Sequence, residues 1–331
     1  MRVYFLERPK HGPVLREQPS PVPGPGQLLI QNEAVSIHPV DLSTRVGSPK
    51  MMLPAPYPFV PGVDFTGTVL QVGAGASDFE PGMKIYGYRG VARMGAFAEE
   101  LLVSENEIAR APEGMDAVQR AALPLSSICA LEAYTGGQSI QARTALVHGG
   151  AGGVGSIAVQ IFAAKGFHVI ATASGKDATW VQELGAAEVI DYRETSFETV
   201  VKDVDLVFDT VGGDTLKRSF GVVREGGQVR SISTMPSVSA LQGAGVDIPW
   251  FLKVALPLMS FPLRQRARKA KVHFEGQAAI PSRDLLEEAT RIAEESGLKN
   301  RIARVFPFSE LPEAMDFAAS GEARGRVVVT V

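Results

Sequence analysis

The stretch Ala145-Leu-Val-His-Gly-Gly-Ala-Gly-Gly-Val-Gly155 constrains the fold more than any other part of the chain. Ala145 to His148 reads as a short buried strand, and a glycine-crowded turn follows it. Val154, Ile157, Ala158, Ile161 and Phe162 then recur on one helical face, and Gly166 after Lys165 is a helix stop. Within the turn lies Gly150-x-Gly152-x-x-Gly155, the dinucleotide fingerprint. Its glycines permit a tight turn, a close approach of backbone to a pyrophosphate, and close packing of helix on strand. The helix start then offers N–H groups and a positive dipole end to phosphates.

More βα units follow. Strands are expected at 145–148, 168–172, 187–190, 205–209 and 228–232, with a helix from Asp177 to Leu184 ended by Gly185. Such alternation is the signature of a doubly wound parallel sheet, an α/β Rossmann domain. Residues 1 to about 120 are instead β-rich. Extended segments there are Val3–Leu6, Gln27–Ile37, Val63–Val72, Lys84–Gly87 and Phe97–Val103, separated by Pro and Gly clusters such as Pro54–Gly62. From Val118 to Ala133 the pattern turns helical. Arg283–Glu295 is a helix capped by Ser282, another helix follows Glu310, and Arg326–Val331 is a strand. With 331 residues, two domains are expected: residues 1–122 with 282–331, and residues 123–281.

One segment, Pro236–Lys271, resists this scheme. Its apolar run Ile248–Leu263 carries Lys253 and three prolines and is too short to span a bilayer. Arg264, Arg266, Arg268, Lys269 and Lys271 follow. Three readings remain open: a core or subunit-interface helix with a solvated basic flank, a lid over an apolar substrate, and a membrane-surface contact.

An NAD-specific site would place an acid at the end of the second strand to bind the ribose 2′-hydroxyl. Here His168-Val-Ile-Ala-Thr-Ala-Ser174 ends in Ser174, Gly175 and Lys176, which suit a 2′-phosphate. Tyr192, in Asp191-Tyr-Arg193, would close over the adenine or bond that phosphate. The expected cofactor is therefore NADPH. A net charge of −3 gives no electrostatic case for nucleic acid, and the single Cys129 excludes an internal disulfide or a four-thiolate zinc site. The N-terminal residues lack an apolar signal region, so the cytoplasm is the expected compartment.

Taken together, these residues resemble the medium-chain dehydrogenase/reductase superfamily, in its zinc-free quinone oxidoreductase and enone reductase branch. The resemblance rests on Ala34-Val-Ser-Ile-His-Pro-Val-Asp41, Pro58-Phe-Val-Pro-Gly-Val-Asp-Phe-Thr-Gly67, Ala121-Ala-Leu-Pro-Leu125, the glycine turn, Leu184-Gly-Ala-Ala-Glu-Val-Ile-Asp-Tyr-Arg193 and Gly325-Arg-Val-Val328. It implies a GroES-like β-rich catalytic domain built from both chain ends, a Rossmann domain between them, a nicotinamide cleft between the domains, and a homodimer. By the same resemblance Gly152, Gly153 and Val154 contact the pyrophosphate, and Cys129, Val211 and Ser233 lie near ribose and nicotinamide. Phe274 presents backbone to the carboxamide, and Arg326 reaches the cofactor phosphates.

Zinc-dependent members supply a Cys, a His and a second Cys or His. The matching positions here are His38, Val63 and Leu125, of which only His38 can ligate. Without a metal, the easier chemistry is hydride delivery from NADPH to an electron-poor carbon, in a quinone or in the C=C of an α,β-unsaturated carbonyl. The implied partner is a small apolar electrophile. His38 would donate to the substrate carbonyl or supply a proton, or else pack against Asp41 or Asp64. Reduction of an enoyl thioester, and a non-enzymatic NADPH-binding adaptor, are the alternative readings.

Overall fold

The computed structural model describes residues 1–46, 57–76 and 78–331. The first three residues of the Pro54–Gly62 cluster lie outside them. Contacts divide the chain into two units: Met1–Leu125 with Ala244–Val246 and Pro281–Val331, and Ser126–Gly243 with Asp247–Ile280.

The first unit starts with a two-stranded antiparallel hairpin of β1 (Arg2–Phe5) and β2 (Val14–Glu17). It continues through β3 (Gln27–Ile37), α1 (Pro39–Val46), β4 (Asp64–Val72), β5 (Lys84–Tyr88), β6 (Glu100–Ser104), β7 (Ile108–Arg110) and α2 (Ala117–Ala121). The second unit takes up α3 (Pro124–Gln138), β8 (Thr144–His148), α4 (Gly153–Ala164), β9 (His168–Ala173), α5 (Ala178–Glu183) and β10 (Glu188–Asp191). Next come β11 (Val204–Asp209), α6 (Gly213–Ser219), β12 (Val223–Ser231), α7 (Val238–Gly243), α8 (Trp250–Met259), α9 (Phe261–Ala270) and β13 (His273–Gly276). The chain then re-enters the first unit with α10 (Arg283–Ser296), β14 (Ile302–Pro307), α11 (Leu311–Ala319) and β15 (Arg326–Thr330).

Both chain ends build one sheet in the first unit, ordered β14-β15-β3-β4-β5-β7, with β6 also on β3. β15 runs antiparallel to β3 with Val328 opposite Ser36. Leu28, Ile30, Val35, Phe65, Ile85 and Val329 fill its core. Ser282 caps α10 by accepting the Leu285 N–H at 3.3 Å.

In the second unit six strands pair in parallel, ordered β10-β9-β8-β11-β12-β13. Chain direction across the sheet reverses between β8 and β11, where an open α/β sheet forms its binding crevice. Phe162 of α4 is fully buried, with its ring centroid 5.5 Å from Phe167 and 6.0 Å from Phe208 of β11.

Three expectations change. The helical pattern over Val118–Ala133 resolves into two helices, because Pro124 has no N–H to continue α2 and instead opens α3. The run Ile248–Leu263 is also broken, into α8 and α9 meeting at Ser260, with Pro262 in the first turn of α9. Leu252 and Leu256 alone in α8 are buried; most of its other apolar side chains are on the surface. β2 was not anticipated, because all four of its residues are exposed and no alternation marks it. Phe162→Ala should destabilise the second unit by about 3–5 kcal/mol, since aromatic surroundings would line the cavity. Urea unfolding followed by circular dichroism checks this, and a loss under about 1 kcal/mol would contradict the packing described.

Candidate functional site

The glycine turn of the second unit is built by contacts that exclude larger residues. The Gly150 N–H donates to Thr172 C=O at 2.9 Å, and Gly149 N–H reaches Thr172 Oγ1 at 3.2 Å. A Cβ on Gly155 would lie 2.1 Å from Gly149 O, so the first turn of α4 sits directly against the loop. Ser156 N–H to Gly152 C=O closes that turn at 2.9 Å. The N–H groups ahead of it, on Gly153 and Val154, point out of the helix start. Gly152 is exposed, and Gly153 and Val154 are half-buried.

Beneath the turn, His148 is fully buried. Its Nε2 lies 3.0 Å from Ser219 Oγ and its Nδ1 3.2 Å from Thr172 Oγ1. Ser219 donates its own proton to Thr215 C=O, so it accepts from Nε2–H, and Nδ1 accepts from Thr172. Burial pushes the His148 pKa down to about 4, so the ring is neutral. This histidine supports the turn through Thr172. The sequence offered only an unremarkable His at a strand end.

Loops after β8, β11 and β12 meet at the crevice. Thr210 Oγ1 donates to His148 C=O at 2.7 Å, and buried Asp209 accepts the N–H groups of Val211 at 3.1 Å and Gly212 at 2.9 Å. Asp209 also accepts the Ser231 hydroxyl at 2.7 Å. Val211 and Ser233 are thereby held at the strand ends, both exposed. Cys129 is buried in α3. Asp209 escaped sequence reasoning, although an acid just before Thr-Val-Gly-Gly was a usable signal.

Phe274 corrects an expectation. It pairs with Val229 in the β12–β13 ladder, two residues below the edge where Ser231 meets Gly276. Its ring packs edge-on to Phe220 with centroids 5.5 Å apart. The backbone emerging at the edge belongs to Gln277, whose N–H donates to Ser231 C=O at 2.8 Å. A register count, not residue type, decides which residue stands there.

At the far side of the crevice, the loops after β9 and β10 are tied together. Gly175 N–H donates to Asp191 Oδ2 at 2.8 Å, and Arg193 N–H to Asp191 Oδ1 at 3.0 Å. Ser174 is buried and its hydroxyl donates to Asp177 Oδ2 at 2.6 Å. The expectation that this hydroxyl faces a phosphate is therefore corrected: an Asp three residues on captures it locally. Exposed groups here are Lys176, Tyr192 and Arg193, with the Arg193 guanidinium 5.7 Å from the Tyr192 ring centroid. Arg193 was quoted as part of a motif but not assigned a role.

In the first unit His38 directly follows β3 and is 1% exposed. Its N–H donates to Asp41 Oδ2 at 2.8 Å, while Asp41 Oδ1 accepts the Gly62 N–H at 3.2 Å. Burial raises the Asp41 pKa to about 7. The His38 Nδ1 lies 2.7 Å from a guanidinium nitrogen of Arg326. A guanidinium only donates, so Nδ1 accepts and the ring proton is on Nε2. That nitrogen is 2.7 Å from Asp64 Oδ2, with the N–H off the line to the oxygen, so the neutral ring meets the carboxylate in a close dipole contact rather than a well-directed hydrogen bond. Asp64 also accepts the Leu125 N–H at 3.1 Å to each oxygen. Burial first, and Arg326 second, hold the His38 pKa below its usual value against the pull of Asp64.

Two expectations change at this cluster. His38 does not present a ring nitrogen to a substrate, because Asp64 and Arg326 occupy both sides; it is a positioning residue. Arg326 is buried against His38 rather than directed at cofactor phosphates. Nor do the residues fit a catalytic zinc. Val63 is fully buried and apolar, Leu125 contributes only its backbone, and a guanidinium abuts the imidazole. Among the described residues no group of three His, Cys, Asp or Glu could hold a metal, and residues 47–56 and 77 contain none of these types.

With this geometry in hand, comparison with known proteins is informative. Residues 24–113 match the alcohol dehydrogenase GroES-like domain, and residues 184–329 match the family described as zinc-binding dehydrogenase. The chain is 30% identical over 315 residues to the NADPH-dependent alkenal/one oxidoreductase, chloroplastic, of Arabidopsis thaliana, covering 92% of this chain and 72% of that one. It is 29% identical over 328 residues to the mitochondrial NAD(P)H oxidoreductase RTN4IP1 of Mus musculus, covering 93% and 82%. The solved quinone oxidoreductase from Coxiella burnetii superposes with a TM-score of 0.82 at 28% identity, covering 100% of this chain and 99% of that one.

Two outcomes follow from the buried groups. Arg326→Met should cost about 1–3 kcal/mol of stability by leaving the buried His38 Nδ1 without its donor, and should raise the His38 pKa; urea titration and imidazole NMR read these. An unchanged His38 pKa would show that the guanidinium is not its partner. Folded His148 gains its proton only near pH 4, whereas the unfolded chain gains it near 6.5. Between those values the unfolded state binds the extra proton, so stability falls as pH drops, by up to about 3 kcal/mol. A His148→Gln variant should show a flatter slope across that window.

Proposed function

The chain belongs to the medium-chain dehydrogenase/reductase superfamily, and from that membership we propose that it is an NADPH-dependent, zinc-independent reductase of quinones or of the C=C of α,β-unsaturated carbonyls. The observation that carries the reading is the first-unit cluster. Where a zinc-dependent relative would polarise an alcohol, this chain holds a neutral imidazole between a carboxylate and a guanidinium. A hydride acceptor must then be electrophilic already, as quinones and enones are.

NADPH, when bound, supplies the hydride. The glycine turn fits its pyrophosphate, since a side chain at Gly155 would clash with the loop that must stay open. Gly153 and Val154 offer N–H groups to it; Lys176 and Arg193, with Tyr192, offer cations and a phenol to a 2′-phosphate. Asp209 keeps the Val211 and Ser233 loops in place beneath the nicotinamide end. With His38 engaged on both sides, the developing oxyanion would be met by a backbone N–H and the proton would come from solvent. The protein's main contribution is then orientation and exclusion of water. The reading includes a homodimer, supported by the open edge strand β13, which offers backbone groups to a symmetry-related copy; the mass in solution tests that part.

Absorbance loss of NADPH with a quinone, a small enone and a crotonyl thioester identifies the acceptor class; tight binding with no turnover on any would leave a non-enzymatic role. Lys176→Ala and Arg193→Ala should each raise KM for NADPH about 10- to 100-fold while barely moving that for NADH. Equal losses with both cofactors would remove the 2′-phosphate assignment.

A further inference from the structure

We propose that Asp191 is the positioning residue that sets the preference of this site for a 2′-phosphorylated coenzyme. The inference rests on the NADPH reading above and adds a residue that acts through its neighbours. Two loops carry the groups offered to the 2′-phosphate: Lys176 follows β9, and Tyr192 with Arg193 follows β10. Within the sheet these strands are already in register, with Asp191 opposite Ala173. Past the strand ends, the Asp191 carboxylate joins the two loops. Its Oδ2 accepts the Gly175 N–H at 2.8 Å and its Oδ1 accepts the Arg193 N–H at 3.0 Å. One side chain thus fixes the residue before Lys176 and the residue after Tyr192. The Asp191 C=O also accepts the N–H groups of Glu194 at 3.1 Å and Thr195 at 2.9 Å, which closes the 191–195 turn on the same residue.

Gly175 carries the imprint of that bond. A Cβ there would lie 2.5 Å from Asp191 Oδ2, so a side chain at 175 and the hydrogen bond exclude each other. Its φ lies outside the left-handed region, so close approach, rather than backbone conformation, is what asks for glycine. Charge gives the arrangement its purpose. A carboxylate turned outward beside a phosphate would repel it. By accepting two N–H groups, Asp191 instead spends its charge on backbone donors and stays half-buried, while Lys176 and Arg193 are exposed. Asp177, the acid of the β9 loop, is likewise engaged by the Ser174 hydroxyl. Lysine and arginine side chains lose much rotamer freedom when a ligand fixes them. Anchoring both of their loops to one residue lowers the cost of bringing the two cations to the same phosphate. A coenzyme with a free 2′-hydroxyl makes no such demand, so loss of the anchor falls on the phosphorylated one.

Calorimetric titration of the full chain with adenosine 2′,5′-bisphosphate and with adenosine 5′-monophosphate reads the 2′-phosphate apart from hydride transfer. The unaltered protein should prefer the bisphosphate; equal affinities would overturn the NADPH reading and this inference with it. Given that preference, Asp191→Ala should weaken bisphosphate binding about tenfold and monophosphate binding less than about twofold. Asp191→Asn, which keeps one acceptor oxygen, should fall between. Gly175→Ala pushes the carboxylate off its donor and should match Asp191→Ala, and the double variant should lose no more than either single one. A preference unchanged in Asp191→Ala would overturn the assignment and leave the NADPH reading standing. So would additive losses in the double variant, or an equal loss of both ligands, the mark of general loosening. Tighter bisphosphate binding would show a repelling carboxylate, and loss confined to the monophosphate a direct bond to ribose; either result overturns the assignment.

Discussion

A buried row of charge and dipole, Arg326 to His38 to Asp64 to the Leu125 N–H, organises the first unit. It joins β15, β3, β4 and the start of α3, elements that come from both ends of the sequence. Removing one member would leave another charged without a partner in a place with almost no water, so the row stands or falls together. The guanidinium also decides which ring nitrogen of the imidazole carries the proton. That single choice turns a potential acid, or a potential ligand, into a fixed acceptor.

The second unit solves a different problem. Its glycine turn must keep backbone N–H groups available to an anion while the surrounding strands remain tightly paired. Thr172 and His148 carry the load from below, and Asp209 gathers three donors from the loops alongside. Carboxylates here serve backbone geometry: Asp191 accepts from Gly175 and Arg193, and Asp177 from Ser174. With the acids absorbed by the loops, the exposed cations of Lys176 and Arg193 dominate what a ligand meets. Acid count alone therefore says little about cofactor choice.

Much of this fold was legible in the sequence because it depends on local signals. Period, glycine placement and caps locate the strands and helices of the parallel sheet, and Ser282 and Gly297 bracket α10 as their residue types suggest. Side-chain direction was less accessible. The Ser174 hydroxyl turns toward Asp177, a choice made by a short-range competition that type alone does not reveal. Phe274 failed as a carboxamide partner through a two-residue offset in the ladder, and His38 through a partner far away in sequence. The run after Ile248 read equally well as buried or exposed, since periodicity cannot distinguish a core face from an unpartnered one.

The antiparallel seam between β3 and β15 has a consequence for how the chain is made. Arg326 and His38 are separated by 288 positions, so the second unit, almost continuous in sequence, leaves the ribosome before the first sheet has all its strands. Nascent β3 then exposes one unsatisfied flank throughout that interval, and chaperone occupancy of that flank is the natural shield during synthesis.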